Sequence, residues 1–320
     1  MRRCWVSTPA GATARRAADR RADRAAPAAV AAEAAAAVAA TSALSALPAL
    51  GAGLGFREPF RAGIFRHRER IAALEITIEH YLDADAAKRD ELELLRAHFP
   101  LIPHGLELSL GSAEGLDERR LERYARLIER VSPPWWSEHV AFTGAGGVEI
   151  GHLAPLPFTR ESLDVLCANV EQVRKAIPSP PLILENITYT LDWGGQEMSE
   201  GEFLAALCRE TGCGLLLDVT NLWLNARRHG YDALAFLESL PLESIVQLHF
   251  VGVEQRGGEW VDSHGRRTSP EIWELFEAAV DRAPVKAAIL ERDKDFPPFA
   301  DVLDEIEMAA GLGREAGRWD

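Results

Sequence analysis

In this 320-residue chain, short apolar runs repeatedly end on acidic or imidazole side chains. Leu215, Leu216 and Leu217 lead into Asp218, with Asn221 three residues on. Other runs end on Glu79 and His80, on Glu138 and His139, on Glu185 and Asn186, and on Glu291, while two more carry His104 and His249. Asp262 and His264, spaced D-x-H, follow the run that carries His249. One such carboxylate could simply cap a helix, and a lone histidine is more often a satisfied core residue. Seven successive runs that deliver His, Asp or Glu to one place need another explanation. Like charges repel, and buried charge requires a partner. Arg292 and Lys294 are the basic residues close by in sequence. Metal ions are the economical solution, and a mixed imidazole and carboxylate set suits iron, zinc or manganese rather than thiol-preferring metals. Nine candidate ligands are too many for one ion, so a bi- or trinuclear site is expected.

The elements that must position these residues alternate regularly from Gly51 onward. Strands are expected at "GAGLGFR", "ALEITIE", "LIPHGLELSL", "WWSEHVAF", "PLILEN", "GLLLDV", "SIVQLHFVG" and "AAILERD". Each is followed by a helical stretch, among them "DERRLERYARLIERV", "RESLDVLCANVEQVRKA", a helix starting near Ser199 as N-cap, and a closing "FADVLDEIEMAA". A loop with Pro155 and Pro157 is expected after the fourth strand. Short, continuously apolar strands read as buried on both faces, as parallel strands are. Eight βα units of this size predict an α/β fold, a TIM (β/α)8 barrel, in which chemistry sits at the strand C-termini. A doubly wound open sheet is the alternative, disfavoured because no GxGxxG follows the first strand.

Charge and cysteine use narrow the function. The chain carries 35 Lys and Arg against 49 Asp and Glu, a net of −14. Residues 1–50 are net +4, which leaves the remainder near −18. So acidic a domain is a poor phosphate binder, so no nucleic-acid partner is expected. Cys4, Cys167, Cys208 and Cys213 form no zinc pattern and no CxxC pair, and free thiols fit a reducing cytoplasm. Twenty-one of the first fifty residues are Ala. Residues 1–50 are expected to be a low-complexity, disordered extension, since the Ala run is too weakly apolar for a membrane span and too late for a good export signal. The expected catalytic domain covers 51–310, with a C-terminal tail over 311–320.

The stretches "EITIEHYL", "HGLELSLGS", "WWSEHVAFTG", "LAPLPFT", "LILEN", "GLLLDVTNLWLNARRHG", "LHFVG", "DSH" and "ILERD" carry a resemblance. From about Gly51 to Ala310 the chain resembles the multinuclear non-heme iron-dependent oxidative enzymes, the group typified by the methanobactin-biosynthesis oxidase. The resemblance implies a xylose-isomerase-like barrel with two or three irons, mixed Fe2+ and Fe3+, at the strand C-termini. It implies a dioxygen-dependent oxidation of a residue, typically cysteine, in a ribosomally made peptide, in natural-product biosynthesis. It also implies a separate protein that presents the peptide. Carried over position by position, it gives ligand roles to His104, Glu138, Glu185, Asp218, His249, Asp262, His264 and Glu291. Asn221 stands where many relatives have His or Asn, and Asn186 is a hydrogen-bonding support for a ligand carboxylate. There is one departure: Thr77 stands where peptide-oxidising members often have a His ligand, and His80, three residues on, leaves the strand on the other face.

His139, beside a ligand, and Lys294, after the last strand, are the acid-base candidates. Trp135, Trp136, Trp223 and Trp260 are candidates for substrate contact, with barrel packing the competing explanation, strongest for Trp135. The ligand order also resembles metal-dependent TIM-barrel sugar isomerases and an apurinic endonuclease, so a hydrolase or isomerase is the runner-up. A metal-binding barrel without turnover is the third reading.

Overall fold

A computed structural model describes residues 42–320. What was expected of residues 1–41 therefore lies outside the described residues. In chain order the strands are β1 (Gly51–Gly55), β2 (Leu74–Thr77), β3 (Leu101–His104), β4 (Trp136–His139), β5 (Phe142–Ala145), β6 (Val148–Ala154), β7 (Leu182–Glu185), β8 (Gly214–Asp218), β9 (Ile245–Phe250), β10 (Gly252–Arg256), β11 (Glu259–Arg266) and β12 (Ala287–Leu290). Eight of them close a barrel in the order β1-β12-β9-β8-β7-β4-β3-β2, and every paired neighbour is parallel. These are the eight strands expected from the sequence. The main helices are α1 (Arg61–Arg66), α2 (Ala86–His98), α3 (Glu118–Val131), α4 (Arg160–Ala176), α5 (Glu200–Thr211), α6 (Val219–His229), α7 (Ala233–Ser239), α8 (Pro270–Arg282) and α9 (Phe299–Glu315).

Local chemistry fixes where elements start and stop. Ser199 and Glu202 form a reciprocal capping box at the start of α5, and Gly212 ends that helix in the left-handed region at φ 69°. Asp218 ends β8 and caps α6, its side chain accepting from the Asn221 N–H at 2.8 Å. Gly53 on β1 admits no side chain: a Cβ would lie 2.2 Å from the Ala73 carbonyl oxygen. Glycine there lets β1 close against β2.

Two hairpins were not anticipated. β5 and β6 pair antiparallel across Gly146 and Gly147, both at positive φ, in the segment expected to be a loop. β10 and β11 pair across Gly257 and Gly258, likewise both positive. Two central residues at φ > 0 suit tight hairpin turns, and glycine occupies them without strain. Asp262 and His264 consequently lie on a strand, β11, rather than in a loop.

The inner face of the barrel has two layers. Its lower layer is apolar: Ala73, Ile102, Trp135, Ile183, Leu216, Val246, Ala287 and Ile289 form one cluster, with Leu44 packed into it at 4% exposure. Lys286 Nζ donates to the Ser45 carbonyl (3.0 Å) and Leu50 N to the Lys286 carbonyl (2.7 Å). The segment around Leu44 to Leu50, placed by the sequence in the extension, thus packs against the barrel floor. At the other end, α9 runs past Ala310 to Glu315, and Trp319 folds back on Gly313 and donates to the Ala310 carbonyl at 3.1 Å. The stretch expected to be a tail is packed.

Candidate metal centre at the barrel mouth

Above the apolar layer, the same inward positions turn polar. Alternation along each strand carries Glu75 and Thr77 of β2, His104 of β3, Ser137 and His139 of β4, Glu185 of β7, Asp218 of β8, Gln247 and His249 of β9, and Glu291 after β12 to the interior. Each of these side chains is buried.

The donor atoms gather in overlapping groups. In each, one atom per residue lies within 4.8 Å of the others: His104, His139 and Glu185; Glu185, Asp218, His249 and Glu291; and Glu75, His104 and Glu291. Glu185 belongs to the first two. Its Oε2 lies 3.5 Å from His104 Nε2 and 3.3 Å from His139 Nε2, while its Oε1 lies 3.3 Å from His249 Nδ1. His249 Nδ1 is also 3.3 Å from Glu291 Oε1.

The far nitrogen of each imidazole is tied down. His139 Nδ1 lies 3.0 Å from the Gly105 carbonyl and His104 Nδ1 2.8 Å from Ser137 Oγ. His249 Nε2 lies 2.8 Å from Glu75 Oε2, and Gln247 Nε2 donates to that oxygen at 2.6 Å while its own Oε1 accepts from Trp135 Nε1 at 2.8 Å. Such outer partners fix ring orientation and leave one nitrogen free to coordinate. Among the described residues, His249 Nδ1, Glu185 Oε2 and Asp218 Oδ2 are buried without a hydrogen-bond partner. Unsatisfied buried donors and acceptors are costly; Glu185 Oε2 faces His104 and His139, while His249 Nδ1 and Asp218 Oδ2 belong to residues of the carboxylate-rich group. The residues therefore fit a metal.

Electrostatics says the same. Burial would raise Glu291, yet His249, His264 and His104 hold it well below the usual carboxylate range. Asp218 is pushed well above that range by burial and by Glu185, Glu291 and Asp262. Glu75 is raised by burial, against His249. His104 is pushed well below its ordinary value by burial and by His139 and His249. Burial would lower His139 too, but Glu185 and Glu138 take it up to about 9. A cluster pulled both ways is what bound cations relieve.

Not every expected residue arrives. Glu138 does not face the cluster: its neighbour His139 takes the inward position. Glu138 points outward beside Trp136, its Oε2 accepting from Leu108 N (3.1 Å) and its Oε1 from His139 N (2.8 Å). With Glu79, which accepts from Leu106 N (2.8 Å), Glu107 N (3.0 Å) and the Tyr124 hydroxyl, it pins the loop after β3. Asn221 is likewise engaged: its Nδ2 donates to the Asn186 carbonyl at 3.1 Å and its Oδ1 accepts from Thr188 Oγ1. Asn186 clamps the end of β8, donating to the Asp218 carbonyl (3.1 Å) and accepting from Asp218 N (2.9 Å). Lys294 is exposed, and its side chain has no hydrogen bond or ion pair among the described residues. His80 is exposed too. Arg292 turns outward to a buried ion pair with Glu305. Trp135 and Trp136 are wholly buried. Trp223 and the half-buried Trp260 meet edge to face at 5.4 Å, with Arg227 over both.

Asp262 and His264 stand at the rim, about a quarter exposed, and face each other at 2.6 Å. His264 holds a left-handed φ of 49°, a strained setting for a non-glycine residue of the kind that clusters at functional sites. Its Nδ1 lies 3.3 Å from Asp293 Oδ2 and 3.9 Å from Glu291 Oε2. Sequence reasoning missed Asp293 and its partner Arg57, whose Nη2 is 2.5 Å from Asp293 Oδ1. Arg57, not Arg292, is the cation that faces this side of the cluster. It also missed Glu75 and Gln247. Both are polar residues in the middle of apolar runs, two positions before Thr77 and His249, and that spacing was the available signal.

The family model described as "RiPP precursor modification enzyme MbnB/TglH/ChrH" matches residues 51–313. A UPF0276 protein of Caulobacter vibrioides is 35% identical over 260 residues, covering 81% of this chain and 92% of that protein. One of Rhizorhabdus wittichii is 36% identical over 262 residues, covering 81% and 94%. Among solved structures, a xylose isomerase domain containing protein of Salmonella typhimurium matches with a TM-score of 0.57 at 11% identity, covering 84% of this chain and 98% of that one. A D-psicose 3-epimerase matches with a TM-score of 0.54 at 13% identity, covering 84% and 100%. These likenesses establish a xylose-isomerase-like barrel and say nothing further about chemistry.

Proposed function

This chain belongs to the family of RiPP precursor modification enzymes whose model it matches, and from that premise we propose that it is a multinuclear non-heme iron oxidase. It uses dioxygen to modify a residue, cysteine, of a ribosomally made peptide presented by a separate protein. The observation that carries the reading is the position of Glu185, one carboxylate shared between an imidazole-rich group and a carboxylate-rich group. A shared carboxylate suits adjacent ions, and the nitrogen and oxygen donors suit iron.

His104, His139 and Glu185 would hold one ion, and Glu185, Asp218, His249 and Glu291 a second. A third would draw on Asp262, His264 and Glu291, with Thr77 offering no imidazole. Bound iron would supply thiolate activation and one-electron chemistry with dioxygen. This chain's own side chains do the rest. Glu75 and Gln247 hold His249 with Nδ1 inward. Asn186 and the α6 N-terminus fix Asp218. Deep burial of the donors keeps bulk water away from the reacting sulfur. His139, first considered as an acid-base residue, acts in this reading as a ligand.

Among the described residues no helix is long and apolar enough to cross a membrane. The described cysteines Cys167, Cys208 and Cys213 are free thiols, which supports a reducing, cytoplasmic setting.

The test is elemental analysis of protein purified anaerobically from iron-supplemented cells, paired with oxygen uptake on the peptide. Two to three irons per chain and peptide-dependent oxygen consumption are expected. Zinc or manganese without oxygen consumption would replace this reading with the hydrolase or isomerase one.

A further inference from the structure

A second site lies outside the barrel interior, between the first turns of α5 and α7. Helices of a βα barrel begin at the end where the strands finish, so this site opens on the same end as the metal-binding groups. Here a cavity of about 420 Å³ is walled by Phe158, Tyr189, His229, Tyr231 and Phe236, with Glu200 at its base. Its size is within the usual range for small-ligand sites. The walls are ordered against one another. Tyr189 stacks on His229 at 4.4 Å and meets Phe158 edge to face at 5.7 Å, and Tyr231 stacks on Phe236 at 5.4 Å. His229 Nε2 lies 3.1 Å from the Tyr189 carbonyl, which fixes the stacked pair.

The base of this cavity lacks a counter-charge. Glu200 is 8% exposed, and its Oε2 accepts from the Tyr189 hydroxyl at 3.2 Å. The buried Tyr231 hydroxyl lies beside the same carboxyl, and like Tyr189 it partly offsets the effect of burial on Glu200. No described Lys or Arg forms an ion pair with Glu200. Arg228 donates instead to the carbonyls of Tyr189 (3.4 Å) and Trp260 (3.2 Å). Asp192 and Asp232 add further acidic groups to the lining. Burial pushes Glu200 up to about 8, so near neutrality it is a neutral acid that an arriving cation would ionise.

We propose that this aromatic pocket binds one organic cation, an ammonium or guanidinium group on an aliphatic stem, with Glu200 as its counter-ion. The aromatic faces attract such a cation through their quadrupoles, and the partly desolvated setting strengthens that attraction. The stem fills the apolar walls. That the cation is a lysine or arginine side chain of the substrate peptide rests on the reading above; the pocket's selectivity does not.

The experiment is isothermal titration of the full chain at pH 7 with N-acetyl-lysine methylamide and with its neutral isostere, N-acetyl-norleucine methylamide. The lysine probe is expected to bind at least about 10-fold more tightly, the size of a cation–π pair plus an ion pair in a partly desolvated site. Repeating the titration in buffers of different ionisation enthalpy should show close to one proton released per lysine probe bound. Glu200→Gln should abolish both the preference and the proton release. Ala235→Trp, at an exposed α7 position in the lining, should block both probes without touching the carboxyl, and covers the case in which Glu200→Gln does not fold. Equal binding of the two probes, no binding of the lysine probe, or full selectivity in folded Glu200→Gln would overturn the proposal. Neither metal nor turnover enters the measurement, so its failure would leave the iron reading standing.

Discussion

The barrel interior divides into a floor and a mouth built from the same strands and the same inward face. On β7 the floor residue is Ile183 and the mouth residue Glu185. On β8 they are Leu216 and Asp218, on β12 and just after it Ile289 and Glu291, and on β3 Ile102 and His104. Two residues along a strand move a side chain about 7 Å without changing its face. The floor is sealed by Leu44 from outside the barrel and is apolar apart from the Trp135 indole N–H, which Gln247 accepts. The mouth is as thoroughly buried but leaves Glu185 Oε2, Asp218 Oδ2 and His249 Nδ1 without partners. Equal burial thus does opposite things: it stabilises the floor and stores unsatisfied charge in the mouth, which only a ligand releases.

Paired substitutions on β7 give the largest expected effects and separate the layers. Glu185→Ala should abolish turnover and lower the bound metal by at least one ion per chain, because one carboxylate serves two groups. Chelation should lower the melting temperature of the wild type by more than that of the variant. A variant that keeps its full metal load would remove Glu185 from the site. Ile183→Ala should do the reverse, costing about 2–5 kcal/mol as a large-to-small core change while leaving metal content intact. Denaturant titration beside elemental analysis reads both. If Ile183→Ala also empties the site, floor and mouth are not separable layers.

How much of this was legible follows from the same alternation. Apolar runs ending on charged residues revealed the barrel, since only the inward parity ends in chemistry. The fourth strand shows the limit. Glu138 and His139 are adjacent, and one step of register decides which faces in. Sequence spacing alone could not choose, and the structure chose His139. Glu75 is not legible from strand ends, because it lies within β2, two residues before Thr77. The hairpin β5–β6 escaped because its strands are largely solvent-exposed and carry no buried run. Its signal was the Gly146–Gly147 turn. Leu44 was assigned to a low-complexity extension because the Ala bias extends past it, although one leucine in the right place is enough to seal a barrel floor.

A finer probe of the mouth is Glu75→Gln. Glu75 belongs to the group with His104 and Glu291, but towards the second ion it touches His249 at the nitrogen facing away from Glu185 and Glu291 and so positions that ring. Loss of such outer partners costs about 10- to 100-fold in metal affinity or activity. The signature is a weaker second ion with the His104 and His139 ion retained, read as two separable steps in a metal titration. Restored affinity in Glu75→Asp would support orientation as the cause. An unchanged titration for Glu75→Gln would make Glu75 a spectator.

The smallest effect uses a buried acid away from the mouth. Glu291 and Glu200 are both deeply buried, yet three imidazoles hold Glu291 well below its ordinary value while Glu200, among aromatic rings, is pushed up to about 8. The sign for Glu200 is clear. Between its unfolded value of 4.5 and its folded value of about 8, the native state keeps a proton that the unfolded state has lost. Its contribution is therefore most favourable below 4.5, declines as pH rises, and levels off above about 8. From pH 6 to 7 the decline should be about 1.4 kcal/mol, and Glu200→Gln should lack it. Unfolding free energies of wild type and variant across pH 5–9 give the difference directly. A flat difference would mean that Glu200 is ionised in the folded protein, held by a charge like those that surround Glu291, and the contrast between aromatic and imidazole surroundings would fail.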